Sequence, residues 1–134
     1  MRNSLIAAVI SLSTLAFSQP AKADPNLSYT SAYKIISTST DNDYKNQEFR
    51  VYVLKWLEQD QGYPHKVAML FCESNRLGRS SDQFAEMSYG ALLVRKSLEG
   101  WSESRFTAYK KILIAGVGVG YRHYCPEFLG NLVN

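Results

Sequence analysis

The sequence predicts an all-α fold: a small bundle of about four helices with one disulfide and a flexible N-terminal lead segment. Three observations carry that expectation. Apolar residues recur at three- and four-residue spacing through most of the chain. Capping and stop residues bracket those runs. No strand-hairpin pattern and no internal repeat interrupts them.

The chain has 134 residues, the length of one domain. Residues 1–23 read as a signal peptide. Arg2 supplies a positive start, Leu5 to Phe17 an apolar run, and Ala21-Lys22-Ala23 the small residues that precede cleavage before Asp24. The apolar run is shorter than the ~20 residues that span a bilayer. Ile112 to Val119 is also apolar and also too short, so no transmembrane segment is expected in the mature chain. Without Arg2 and Lys22, thirteen basic residues face twelve acidic ones. So balanced a chain lacks the one-signed surface that phosphate binding demands, and no nucleic-acid partner is expected.

Residues 24–43 are rich in Ser, Thr, Asn and Asp and read as an extended, partly mobile lead, with Ile35 and Ile36 placed to tack it onto the domain. Asn26-Leu27-Ser28 matches a glycosylation sequon, which matters only in a eukaryotic secretory route. Residues 44–134 form the helical domain. Its first helix is expected over Tyr44 to Gln59, capped by Asp41 or Asp43, with Phe49, Tyr52, Val53, Trp56 and Leu57 in one apolar stripe. The second runs from Pro64, suited to a helix start, to about Arg76. Ala68, Phe71, Cys72 and Asn75 share a face, with Val67 at its edge, and Gly78 is its stop. Ser80 or Ser81 caps the third, whose expected core stripe is Phe84, Met87, Ala91, Val94 and Leu98, closed by Gly100. Ser102 or Ser104 caps the fourth. Phe106, Tyr109, Leu113, Gly116, Val117, Gly120 and Tyr124 hold helical spacing up to Pro126. Glycines 116, 118 and 120 each cost a helix ~1 kcal/mol relative to alanine, and their alternation suits a strand. The unbroken stripe favours helix, with Gly116 and Gly120 admitting a close neighbour.

Cys72 and Cys125 are the only cysteines. In an exported chain an even pair reads as a disulfide. Metal binding through them is disfavoured: His123 and Cys125 point to different sides of a helix, while His65 and Cys72 stand about 10 Å apart along one.

Trp56-Leu57 with the Gly62 turn, Val67 to Cys72, Leu77-Gly78-Arg79-Ser80 and the Tyr124-Cys125-Pro126-Glu127 end together resemble the family called domain of unknown function 732. The resemblance covers roughly Phe49 to Leu129. It implies a small secreted helical bacterial protein with two such cysteines and brings no activity with it. The chain departs from the pattern in a longer segment between Gly78 and Arg105, and in valine and glycine where the last helix is usually alanine-rich.

No catalytic constellation emerges. There is no Gly-x-Ser-x-Gly elbow, and Gly116-x-Gly118-x-Gly120 lacks the spacing of a nucleotide loop. The carboxylate pairs Asp41 with Asp43 and Glu99 with Glu103 read as solvated caps, and Lys110-Lys111 as a wet helix face. The nine tyrosines suit core rims, an interface or a ligand cleft. The expectation is a non-enzymatic module of the periplasm or exterior that binds a protein or an envelope component, with no cofactor. The alternative is a carrier of haem or a lipid-like molecule with a cleft near Tyr121, His123 and Tyr124. Against that alternative, His123 also reads as a plain rim histidine.

Overall fold

The structure is a computed structural model that describes residues 24–128. The signal-peptide reading therefore lies outside the described residues, as does the chain beyond Phe128. The fold is all-α. Five helices follow one another: α1 (Pro25–Thr38), α2 (Gln47–Gln59), α3 (Tyr63–Arg76), α4 (Ser81–Glu99) and α5 (Glu103–Val119). A 3-10 turn at Asn42–Lys45 precedes α2, and a π turn at Gly120–Tyr124 extends α5. No strand occurs among the described residues.

Helix α1 corrects the reading of 24–43 as an extended lead. Asp24 caps it, accepting from the Asn26 amide at 2.9 Å, and Pro25 occupies the first turn. Ser28, Ala32 and Ile36, at i, i+4 and i+8, are buried. Helix α1 rests on α2, α3 and α5. Its buried face is small and partly polar, which is why composition pointed to a loop.

The other caps follow local chemistry. Asn46 caps α2, and Asp41 caps the 3-10 turn before it. A full capping box starts α4: the Ser80 amide donates to Gln83 Oε1 at 2.8 Å, and the Gln83 amide to Ser80 Oγ at 3.1 Å. Ser102 caps α5. Gly78 and Gly100 stand at the ends of α3 and α4 with φ of 82° and 67°, the left-handed conformation a side chain disfavours.

Helix α5 is the central element, packing on all four others. Its glycines make it so. A Cβ at Gly116 would meet Val67 Cβ at 2.7 Å, and one at Gly120 would meet the Phe71 ring at 3.1 Å. The α3 backbone therefore lies against bare α5 backbone. The π turn closes with the Cys125 amide donating to the Gly120 carbonyl at 2.8 Å, five residues back. Cys125 is joined there to Cys72 on α3 by a disulfide with Cα atoms 5.8 Å apart.

Helix α4 corrects a second expectation. Of the stripe Phe84, Met87, Ala91, Val94 and Leu98, only Phe84 is buried. Met87, Val94 and Leu98 are 52, 59 and 81 % exposed. The inward face runs instead through Phe84, Ser88, Leu92 and Arg95, with Leu92 buried.

Candidate functional site

The preference of α4 for its more polar face has a cause in Arg95. Its Nε donates to Glu99 Oε2 at 3.0 Å and its Nη2 to Asp60 Oδ2 at 3.2 Å. The guanidinium lies 4.9 Å from the Trp101 ring centre and 5.1 Å from that of Tyr109. Asp60 Oδ2 also accepts from the Tyr109 hydroxyl at 3.0 Å, and Glu99 Oε1 from Trp101 Nε1 at 3.1 Å. Trp101 stacks on Tyr109 with ring centres 4.3 Å apart, and Arg105 stands 3.9 Å from the Trp56 ring centre. One network thus ties α2, α4 and α5. Burial lowers the proton affinity of Arg95, but its hydrogen bonds to Glu99 and Asp60 outweigh that and leave it raised. The Arg95 bond in turn lowers the Glu99 pKa.

Anchored at Arg95 and Leu92, α4 stands off from α3 and leaves a cleft of about 460 Å³. Val67, Phe84, Leu92 and Leu113 form its buried apolar floor, while Leu70 and Ala91 stand at its rim. Tyr63 lines it as well, and Asp60, Lys66 and Arg95 supply its charge. Asp60 is already engaged by Arg95 and Tyr109. The Lys66 side chain has no ion-pair or hydrogen-bond partner among the described residues. The volume falls in the ~300–1,000 Å³ range of small-molecule sites.

Tyr121, His123 and Tyr124 do not line this cleft. Tyr121 is buried, its ring centre 4.7 Å from that of Phe71, with its hydroxyl 3.4 Å from Ser81 Oγ. Tyr124 hydrogen-bonds Ser28 Oγ at 2.6 Å and also His65 Nδ1, while Ser28 Oγ donates to the Asp24 carbonyl at 2.9 Å. His123 Nε2 lies 3.3 Å from Ser31 Oγ. The two residues preceding Cys125 therefore grip α1, the helix that sequence composition hid. Both cysteines are spent in the disulfide. No group of three or more His, Cys, Asp and Glu side chains among the described residues is placed to hold a metal.

Lys66 and Arg95 were not singled out by sequence reasoning. The available signal was the second face of α4, Phe84-Ser88-Leu92-Arg95, whose helical spacing is as regular as that of the more apolar stripe.

The fold and site define a class: a small all-α protein with five helices among the described residues, closed by a disulfide, with an apolar cleft between α3 and α4. The chain matches no protein-family model, no curated protein and no solved structure.

Proposed function

We propose that the protein is an exported, non-enzymatic binding module for an envelope or extracellular component, and that the α3–α4 face is its working surface. One observation carries this reading. Helix α4 turns Phe84, Ser88, Leu92 and Arg95 inward and leaves Met87, Val94 and Leu98 exposed, on the stripe whose Ala91 lines the cleft. Exposed large apolar residues grouped on one face mark interaction surfaces, whereas scattered ones are ordinary. The disulfide suits an oxidising compartment, and no helix among the described residues is long and apolar enough to cross a membrane. The resemblance to the domain of unknown function 732 family points the same way, to secretion, and is part of this proposal. Haem carriage at His123 gains no support from its side chain, which lies against α1.

The test is mass spectrometry of material that co-purifies with the protein from its native envelope fraction, compared with Ala91→Trp. Ala91 is exposed at the cleft rim, so the indole blocks the opening without entering the core. Material held by the wild type and lost from the variant is the expected result. The same material on both proteins would remove the α3–α4 face from consideration.

A further inference from the structure

The charge on the cleft narrows what it takes, granted that the α3–α4 face is the binding surface. Two cations and one carboxylate line it, and the carboxylate is spent: Asp60 Oδ2 already accepts from Tyr109 and Arg95. Arg95 is held by Glu99, Asp60 and the rings beneath it, with Nε and Nη2 committed and Nη1 uncommitted among the described residues. Lys66 brings a full positive charge with no counter-ion among the described residues. The floor between them offers no charged group. A cationic ligand would add like charge beside Lys66. A neutral apolar ligand would leave the exposed Lys66 ammonium to water alone and gain nothing from its charge. A ligand with an apolar chain and an anionic head satisfies both parts, because charge-assisted hydrogen bonds are stronger than neutral ones and the chain gains by leaving water.

We propose that the α3–α4 cleft binds a single-chain amphiphile with an anionic head, its chain over Val67, Phe84, Leu92 and Leu113 and its head between Lys66 and Arg95. A free fatty acid and a single-chain phosphate lipid share that chemistry. Lys66, exposed and lining the cleft, is the specificity residue, with its charged head discriminating between ligands. Arg95, whose charge Asp60 and Glu99 already match, adds its uncommitted Nη1 as a pre-positioned donor.

The test is calorimetric titration of the oxidised protein, purified after export, with dodecanoate, dodecyl phosphate and dodecanol below their micellar concentrations. Saturable one-to-one binding is expected, tighter for at least one anion than for the alcohol; the tighter anion identifies the head. Lys66→Gln keeps the stem and removes the charge. It should weaken the anion about tenfold, equivalent to ~1.4 kcal/mol, and leave dodecanol unchanged. Leu70→Glu, at an exposed rim position, adds a negative charge without disturbing the core and should also weaken the anion. Equal affinity for anion and alcohol, or an unchanged anion affinity in Lys66→Gln, would overturn the proposal. So would the absence of saturable anion binding. In each case the envelope comparison with Ala91→Trp still decides, separately, whether the face binds anything.

Discussion

Single residues decide how closely the helices approach, and the glycines show it in opposite directions. Gly116 faces Val67 on α3, so a Cβ there sits 2.7 Å from another Cβ, an approach that side-chain rotation cannot relieve. Overpacking of this kind costs ~1–3 kcal/mol, against a gain of ~1 kcal/mol from replacing a helical glycine. Gly90, on the outer side of α4, has nothing within 4 Å of the same position and an ordinary φ. Gly116→Ala is therefore expected to lower stability by up to about 2 kcal/mol and Gly90→Ala to raise it by up to about 1 kcal/mol. Urea unfolding of the two variants beside the wild type checks both signs. The role of Gly116 and Gly120 in admitting a neighbouring helix was legible in the sequence, because two small residues four apart fall on one side of a helix. Which helix they admit was not legible, since that follows from the tertiary path of the chain.

At the scale of the element, α2, α3 and α5 were readable because their apolar stripes and stop signals agree. Helices α1 and α4 were misread for opposite reasons. On α1 the buried face is Ser28, Ala32 and Ile36, and its serine is satisfied by the Asp24 carbonyl four residues back and by Tyr124, a distant partner that no local pattern reveals. On α4 two faces start from Phe84, and the more apolar one is the wetter. The network around Arg95, which draws on Asp60 and Tyr109 from distant parts of the chain, selects the other. The same feature hid the cleft, because its charged residues come from different elements. A paired substitution separates the two faces. Leu92→Ala removes a buried side chain and should cost about 2–5 kcal/mol. Val94→Lys changes an exposed one and should stay within about 0.5 kcal/mol. Comparable losses in thermal unfolding would mean that the apolar stripe is the true core face.

For the whole molecule, the disulfide links the middle of the chain to a position near its end, its cysteines being 53 positions apart in sequence. Closing such a loop is worth ~4 kcal/mol on the chain-entropy account. Because His123 and Tyr124 sit beside Cys125 and grip α1, the loss should spread beyond the bond. The double variant Cys72→Ser, Cys125→Ser is expected to lose about that stability, and its α1 amides to exchange faster with solvent than those of α2. Equal acceleration in α1 and α2 would show that the clasp does not depend on the disulfide. The second global dependence is on alkaline pH, and it is set by tyrosines. Burial, reinforced by the Asp41 carboxylate and opposed by Arg50, pushes the Tyr44 hydroxyl up to about 12. Burial also raises Tyr63, Tyr109 and Tyr124 above their ordinary value, and Asp60 adds to the effect at Tyr63 and Tyr109. In the unfolded chain these groups titrate near ~10. Above that pH the unfolded state sheds phenolic protons that the fold retains, so stability falls as pH rises. The contribution is complete below about pH 10 and is lost as pH climbs through the folded values. The melting temperature should decline steadily through the window above pH 10, with tyrosinate absorbance rising together with the loss of helical circular dichroism. Tyr44→Phe keeps the ring and removes the titrating group, so its decline over the same window should be shallower. Tyrosinate absorbance that rises while helicity and melting temperature hold would show these hydroxyls to be open to water, and the packed aromatic interior would have to be given up.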